Sequence, residues 1–303
     1  MNPLNNLSNW GSPNRQPAPE FCLVTTEHLE KNLLFKDSED FRTGMNYVAI
    51  VTAKLRINLL AFILMSNHTH FVLEEGKPRA EAFINAFKML YSKYVRSKHG
   101  TREFLRRNGV DIQMLKRQDE SLEWGLAYTQ MNSVAAKICA NSFFYPWGTG
   151  SCFFNPSSDR GRPLASLSGR ERIRLLHSNY DLPGDWLLGE EGFILPRSFI
   201  KVERVEEVFK TPGRMNYFLK NSSKARRRLE STDSNLPSFR DQLVYEGMSD
   251  LCHSLFSGKT LAQLLPEERA ELVRQIKYRF SSGIEQIARV TGFASEDILR
   301  FLG

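Results

Sequence analysis

The chain has 303 residues, 41% hydrophobic and 25% charged, with a formal net charge of +7. That balance is typical of a globular protein and favours a polyanionic partner. No apolar run approaches the ~20 residues that a membrane span needs. The start, Met1-Asn-Pro-Leu, lacks the basic and apolar regions of a signal peptide, so a cytoplasmic location is expected. Cys22, Cys139, Cys152 and Cys252 are scattered without a CxxC, which suggests neither a zinc knuckle nor a disulfide framework.

Residues 1–19 are rich in Asn, Pro and Ser and read as a disordered tail. Phe21-Cys-Leu-Val-Thr-Thr26 reads as a first strand. Phe41, Met45, Val48, Ala49 and Ala53 recur at helical spacing from about Ser38 to Leu55. The next run, Asn58-Leu-Leu-Ala-Phe-Ile-Leu-Met65, is unbroken and apolar, as suits a strand buried on both faces. Ser66-Asn67 then breaks the run and can turn the chain into a neighbouring strand. Along that strand His68, His70, Val72 and Glu74 share one face, with Thr69, Phe71 and Leu73 on the other. Imidazoles at i and i+2 stand roughly 6.5 Å apart at their Cα atoms and point the same way, so both can reach one divalent ion.

Pro78 opens a second helix whose apolar stripe is Phe83, Phe87, Leu90 and Tyr94, a core face, so Tyr91 and Tyr94 read as packing residues or helix-surface contacts rather than nucleophiles. Val110-Asp-Ile-Gln-Met-Leu115 alternates as a fourth strand, and Ser121 is expected to cap a helix through about Cys139. The order β-α-β-β-α-β is that of a ferredoxin-like split βαβ fold, which hosts many functions. A loop-forming stretch at residues 155–163 marks a boundary. Beyond it Ser168-Gly-Arg-Glu171 fits a capping box and Thr211-Pro212 a helix start, and a longer helix is expected from Phe239 to about Phe256. The last helices, from Pro266 to Phe280 and across Ile284 to Leu302, read as a helix-turn-helix. Gly292 sits at the turn, and Ile287, Phe293, Ile298 and Phe301 are inward. The fold class expected is therefore α+β, a ferredoxin-like domain followed by an all-α region. The divisions are a ferredoxin-like domain at 20–155, a helical connection at 156–255 and a helix-turn-helix unit at 256–303 that suits DNA binding.

Two basic groups stand out, Lys93, Arg96, Lys98, Arg102, Arg106 and Arg107, and then Lys224-Ala-Arg-Arg-Arg228. Either suits a solvated helix face or a nucleic-acid backbone. In the helix after the fourth strand, Tyr128 and Asn132 lie one turn apart on one face. A phenol with a free pKa of about 10 is a poor nucleophile, and a divalent ion polarising a phosphate makes its attack feasible.

These pieces resemble the single-tyrosine HUH transposases, particularly the REP-associated tyrosine transposase branch. The resemblance rests on Leu60-Ala-Phe-Ile-Leu-Met-Ser-Asn-His-Thr-His-Phe-Val-Leu73, on Ala127-Tyr-Thr-Gln-Met-Asn-Ser-Val-Ala-Ala136 and on Tyr145-Pro-Trp147, and covers about half the chain. Thr69 replaces a hydrophobic residue of the family pattern, and Ser66 and Ser133 replace prolines. The resemblance implies that His68, His70 and Asn132 bind Mg²⁺ or Mn²⁺. It implies that Tyr128 attacks a phosphodiester of single-stranded DNA, leaving a 5′-phosphotyrosine and a free 3′-OH, and that the substrates are hairpin-forming palindromes. The first basic group would track the DNA backbone, with Ser295 and Arg300 as contacts from the helix-turn-helix. A monomer or a homodimer is compatible with it. The competing reading is a non-catalytic DNA-binding regulator derived from a transposase. A phosphoesterase with two HxT/S strands has only His99-Gly-Thr101 in its favour.

Overall fold

The structure is a computed structural model. It describes residues 18–26, 33–100, 109–136, 138–139, 141–155, 160–229, 241–280 and 282–302. Most of the expected tail, Arg102, Arg106, Arg107 and the expected helix start at Phe239 lie outside the described residues. So do the side chains of Lys224 to Arg228.

Four strands form one antiparallel sheet: β1 (Phe21–Thr26), β2 (Leu59–Met65), β3 (His68–Leu73) and β4 (Val110–Leu115), in the order β2-β3-β1-β4. Because β3 is antiparallel to both β1 and β2, those two run parallel on either side of it. The fold is therefore mixed α+β. β3 is central and wholly buried, as is β2, which explains why β2 carries no polar residue at all.

Helix α1 (Ser38–Leu55) links β1 to β2. Asp37 caps it by accepting from the Asp40 N–H, and Arg56 ends it in the left-handed region at φ 50°. Helix α2 (Lys77–His99) starts at a proline and ends at Gly100, φ 66°. Both helices pack on one face of the sheet. Phe71 of β3 lies edge-on to Phe83 at 5.1 Å between ring centroids, and a Cβ on Gly44 of α1 would meet the Leu64 side chain of β2 at 3.0 Å.

Helix α3 (Ser121–Ala135) covers the other face. Ser121 does not cap it. Glu120 occupies the N-cap with φ 60°, while the Ser121 hydroxyl accepts from the Lys116 N–H at 2.6 Å and donates to the Lys116 carbonyl. The helix also stops at Ala135, short of Cys139.

The exposed edge of β2 is closed by residues 145–149. The Leu64 N–H donates to the Trp147 carbonyl and the Thr149 N–H to the Phe62 carbonyl, while the Tyr145 hydroxyl donates to the Leu64 carbonyl at 2.7 Å. A Cβ at Gly148 would sit 2.9 Å from the Phe62 carbonyl oxygen, so the close approach requires glycine there. An unpaired strand edge is a template for unwanted pairing, and this segment removes it.

After residue 160 come β5 (Gly161–Pro163), α4 (Gly169–Leu176) and β6 (Leu187–Gly189), which returns to pair antiparallel with β5, and then α5 (Val202–Phe209) and α6 (Pro212–Leu229). Ser168 caps α4 by accepting from the Glu171 N–H, and Thr211 accepts from the Arg214 N–H at the start of α6. The first hydrophobic core runs from Phe21 to Phe218 and includes side chains from both sides of the expected boundary, Phe153 before it and Leu164 after it. A second core joins Leu33 to α7 (Asp241–Leu255), α8 (Pro266–Phe280), α9 (Ile284–Thr291) and α10 (Ser295–Leu302). Ile287 and Ile298 are fully buried there, and Phe293 and Phe301 pack against them. Gly292 ends α9 at φ 73°. A buried ion pair, Arg289 to Asp241 at 2.9 Å, ties α9 to α7. Among the described residues no helix is long and apolar enough to cross a membrane.

Candidate active site

The alternation of β3 sends His68 and His70 to the face covered by α3. Thr69 points the other way, where its hydroxyl lies 3.4 Å from that of Thr26. The two imidazoles are 1% and 0% exposed, with centroids 4.7 Å apart and planes nearly perpendicular. Tyr128, on the inward face of α3, continues the column: its ring lies 5.0 Å from that of His70, again edge-on. A pair of histidines two residues apart and a tyrosine from a distant helix are thus brought into one buried row.

Each imidazole is oriented by a neighbour. His68 Nδ1 lies 2.8 Å from Asn67 Oδ1, and His70 Nδ1 lies 2.9 Å from the Thr25 hydroxyl, directly across the β1–β3 register. A carboxamide oxygen only accepts, so His68 Nδ1 carries the proton and Nε2 the lone pair. That is the tautomer a metal-binding histidine adopts when its second nitrogen is held by an outer partner. A divalent ion could use Nε2 of His68, and Nε2 of His70 in the tautomer in which the Thr25 hydroxyl accepts from its Nδ1. Asn132 lies one turn along α3 from Tyr128, and its Nδ2 donates to the Tyr128 carbonyl at 3.0 Å. The amide is thereby fixed to its own helix, leaving Oδ1 as the atom it would offer. A cavity of about 150 Å³ between α3 and α6 is lined by Tyr128, Met131, Asn132, Leu219 and Lys220, among others.

The site is closed. Tyr128 is 7% exposed, because α6 packs along α3. Trp124 and Phe218 meet edge-on at 4.6 Å, and Arg214 of α6 reaches Glu120 and Glu123 at 3.1 Å. Ser133 is fully buried and lies 3.4 Å from the Cys139 thiol.

A second group with metal-binding chemistry escaped the sequence reading. Asp37, Asp40 and His99 hold one ligand atom each within 4.8 Å of the others and could hold a metal ion. It joins the first turn of α1 to the last of α2, and nothing local in the sequence pairs them: Asp37-Ser-Glu-Asp40 reads simply as an acidic helix start. Lys98 already supplies a cation there, with its ammonium 2.7 Å from Asp37, 3.0 Å from Glu39 and 3.0 Å from Asp40. Burial would raise the Asp40 carboxyl, but hydrogen bonds from His99, the Lys36 N–H and Lys98 outweigh it and hold it down at about 2. Burial likewise opposes the charge on Lys98, and the bonds to Asp37, Asp40 and Glu39 prevail and push it upward.

The residues expected at DNA are dispersed. Lys93 and Arg96 are exposed on α2, whereas Lys98 belongs to the carboxylate cluster. Ser295 is half-buried at the start of α10, and Arg300 is exposed and paired with Asp297 at 2.7 Å. All four cysteines are free. Comparison with family models, curated proteins and solved structures finds no match for the chain.

Proposed function

We propose that the chain is a metal-dependent single-stranded DNA transposase or nickase, built on a ferredoxin-like split βαβ domain with a C-terminal helix-turn-helix. The observation that carries this reading is the buried row of His68, His70 and Tyr128, with Asn132 one turn further along α3. A divalent ion bound by the two imidazoles would supply a Lewis acid for a phosphate oxygen. Thr25 and Asn67 fix the rings, and Asn132 offers a third, oxygen ligand. Tyr128 acts as the nucleophile. Its phenolic oxygen bonds to phosphorus as the bond to the 3′ oxygen breaks, and the phenolic proton ends on the departing 3′-OH. The product is a 5′-phosphotyrosine, and attack by a 3′-OH in the reverse direction rejoins strands without ATP. Since Tyr128 is nearly buried, a strand reaches it only when α6 separates from α3.

The test is incubation of the purified chain with a pool of single-stranded hairpin oligonucleotides and Mn²⁺ or Mg²⁺, followed by denaturing electrophoresis. A covalent adduct that needs the metal and disappears in Tyr128→Phe is expected. Metal-independent duplex binding without any adduct would instead select the non-catalytic regulator.

A further inference from the structure

At the end of β2 remote from His68 and His70, a cleft of about 920 Å³ opens between the C-terminus of α1 and the segment around residues 180–201. His70 lies opposite Ile63 of β2, and the four residues from there back to Leu59 span roughly 13 Å at strand rise. Three cations line the cleft: Arg56, Arg172 and Lys201. A single carboxylate, Asp181, lies among them. It is 96% exposed and sits 3.7 Å from Arg172, a solvent-screened contact that a stronger anion displaces easily. Two aromatics complete the wall. Tyr180 is 38% exposed, and Trp186 is half-buried, held against Phe199 with centroids 5.7 Å apart. The Nε of Arg172 is buried and makes no hydrogen bond, which leaves a donor of that guanidinium unused inside the wall.

A groove that combines excess positive charge with aromatic faces is the chemistry that holds unpaired nucleotides: cations follow the phosphates and rings stack on bases. A small metabolite pocket would be more enclosed and more apolar. An acidic peptide would use the cations and leave the rings without a purpose. We propose that this cleft binds single-stranded polynucleotide, with an unpaired base on Trp186 or Tyr180 and backbone phosphates on Arg56, Arg172 and Lys201. The proposal concerns a surface separate from the row at Tyr128 and does not require Tyr128 to be a nucleophile.

The experiment uses the full chain and a fluorescein-labelled oligothymidylate about ten nucleotides long, read by fluorescence anisotropy across a salt series. Arg56 and Lys201 are exposed, so the double variant Arg56→Glu/Lys201→Glu keeps the fold. It should bind at least about tenfold more weakly, with a salt slope shallower by one to two. Trp186→Leu should weaken binding roughly tenfold without changing that slope. Unchanged affinity in the double variant overturns the proposal. So does equal competition by thymidine monophosphate, which would assign the cleft to a small nucleotide, or by polyglutamate, which would assign it to an acidic protein. Adduct formation at Tyr128 is measured separately on hairpin substrates. Its absence with cleft binding intact counts against the nuclease reading alone, and the reverse result counts against the cleft alone.

Discussion

Asp40 is the residue whose removal tests most directly how the two helices behind the sheet are held. Its side chain is fully buried, yet it stays ionised because Lys98, His99, the Tyr94 hydroxyl and the Lys36 N–H all converge on it. A carboxyl at about 2 in the folded chain, against ~3.9 when unfolded, corresponds to about 2.5 kcal/mol of linked stability. The folded value is depressed, so this contribution is complete above the unfolded pKa and fades as pH falls from about 4 through about 2. Asp40→Asn keeps the size and an acceptor but removes the charge, leaving Lys98 with Asp37 and Glu39 and without its buried carboxylate partner. The expected loss at neutral pH is about 2–3 kcal/mol. Urea unfolding followed by tryptophan emission reports it, since Trp147 stacks on Phe41, the residue next to Asp40, at 5.1 Å. The difference between variant and wild type should shrink progressively below pH 4. A deficit that is the same at pH 7 and pH 3, or under about 0.5 kcal/mol throughout, would show that the charge of Asp40 contributes nothing and refute the reasoning.

Two further outcomes are expected. Mn²⁺ at about a hundred times its dissociation constant should stabilise the wild type by about 2.7 kcal/mol, seen as an upward shift in thermal midpoint. The shift should vanish in His70→Ala and survive in Asp40→Asn, and the opposite pattern would place the ion at Asp37, Asp40 and His99. Tyr145→Phe should cost about 1–2 kcal/mol by leaving the buried Leu64 carbonyl without its 2.7 Å partner. A neutral result in urea unfolding would mean that the closure of the β2 edge is held by residues 147–149 alone.

Much of the first half of the chain was legible because its strands and helices differ in period. Phe21 to Thr26, the unbroken run into Met65 and the alternation from His68 to Leu73 fall where their patterns place them. The pairing of those strands was legible only as an order of elements, and the register that sets Thr25 opposite His70 was not. Ser121 misled because its hydroxyl has a closer use. The Lys116 backbone takes it, and the turn through Asp119 and Glu120 admits no cap. After residue 160 the pattern carries little, since three-residue strands have no period and their positions are fixed by distant groups. The Asn46 amide on α1, for instance, accepts from the Ile194 N–H and donates to the Leu175 carbonyl. Within the candidate site, spacing along β3 supplied the histidine pair. Tyr128 was joined to it by family resemblance, because nothing in a helix sequence says which strand face it will cover.

The distribution of charge bears on where a polyanion would sit. Clustering along the chain is a poor guide to exposure of charge in space, because a lysine at a helix end can be turned inward by carboxylates that arrive from elsewhere. Lys98 is the example: it shares α2 with the exposed Lys93 and Arg96, yet three carboxylates of the α1 start surround it. Arg214 and Arg289 are likewise spent on Glu120, Glu123 and Asp241, where they pin one helix to another. Arg56, Arg172 and Lys201 come from separate elements and form no cluster in the sequence, yet they line one cleft against a single exposed carboxylate. Among the described residues, three cations thus face one cleft while Lys93 and Arg96 stay exposed on α2.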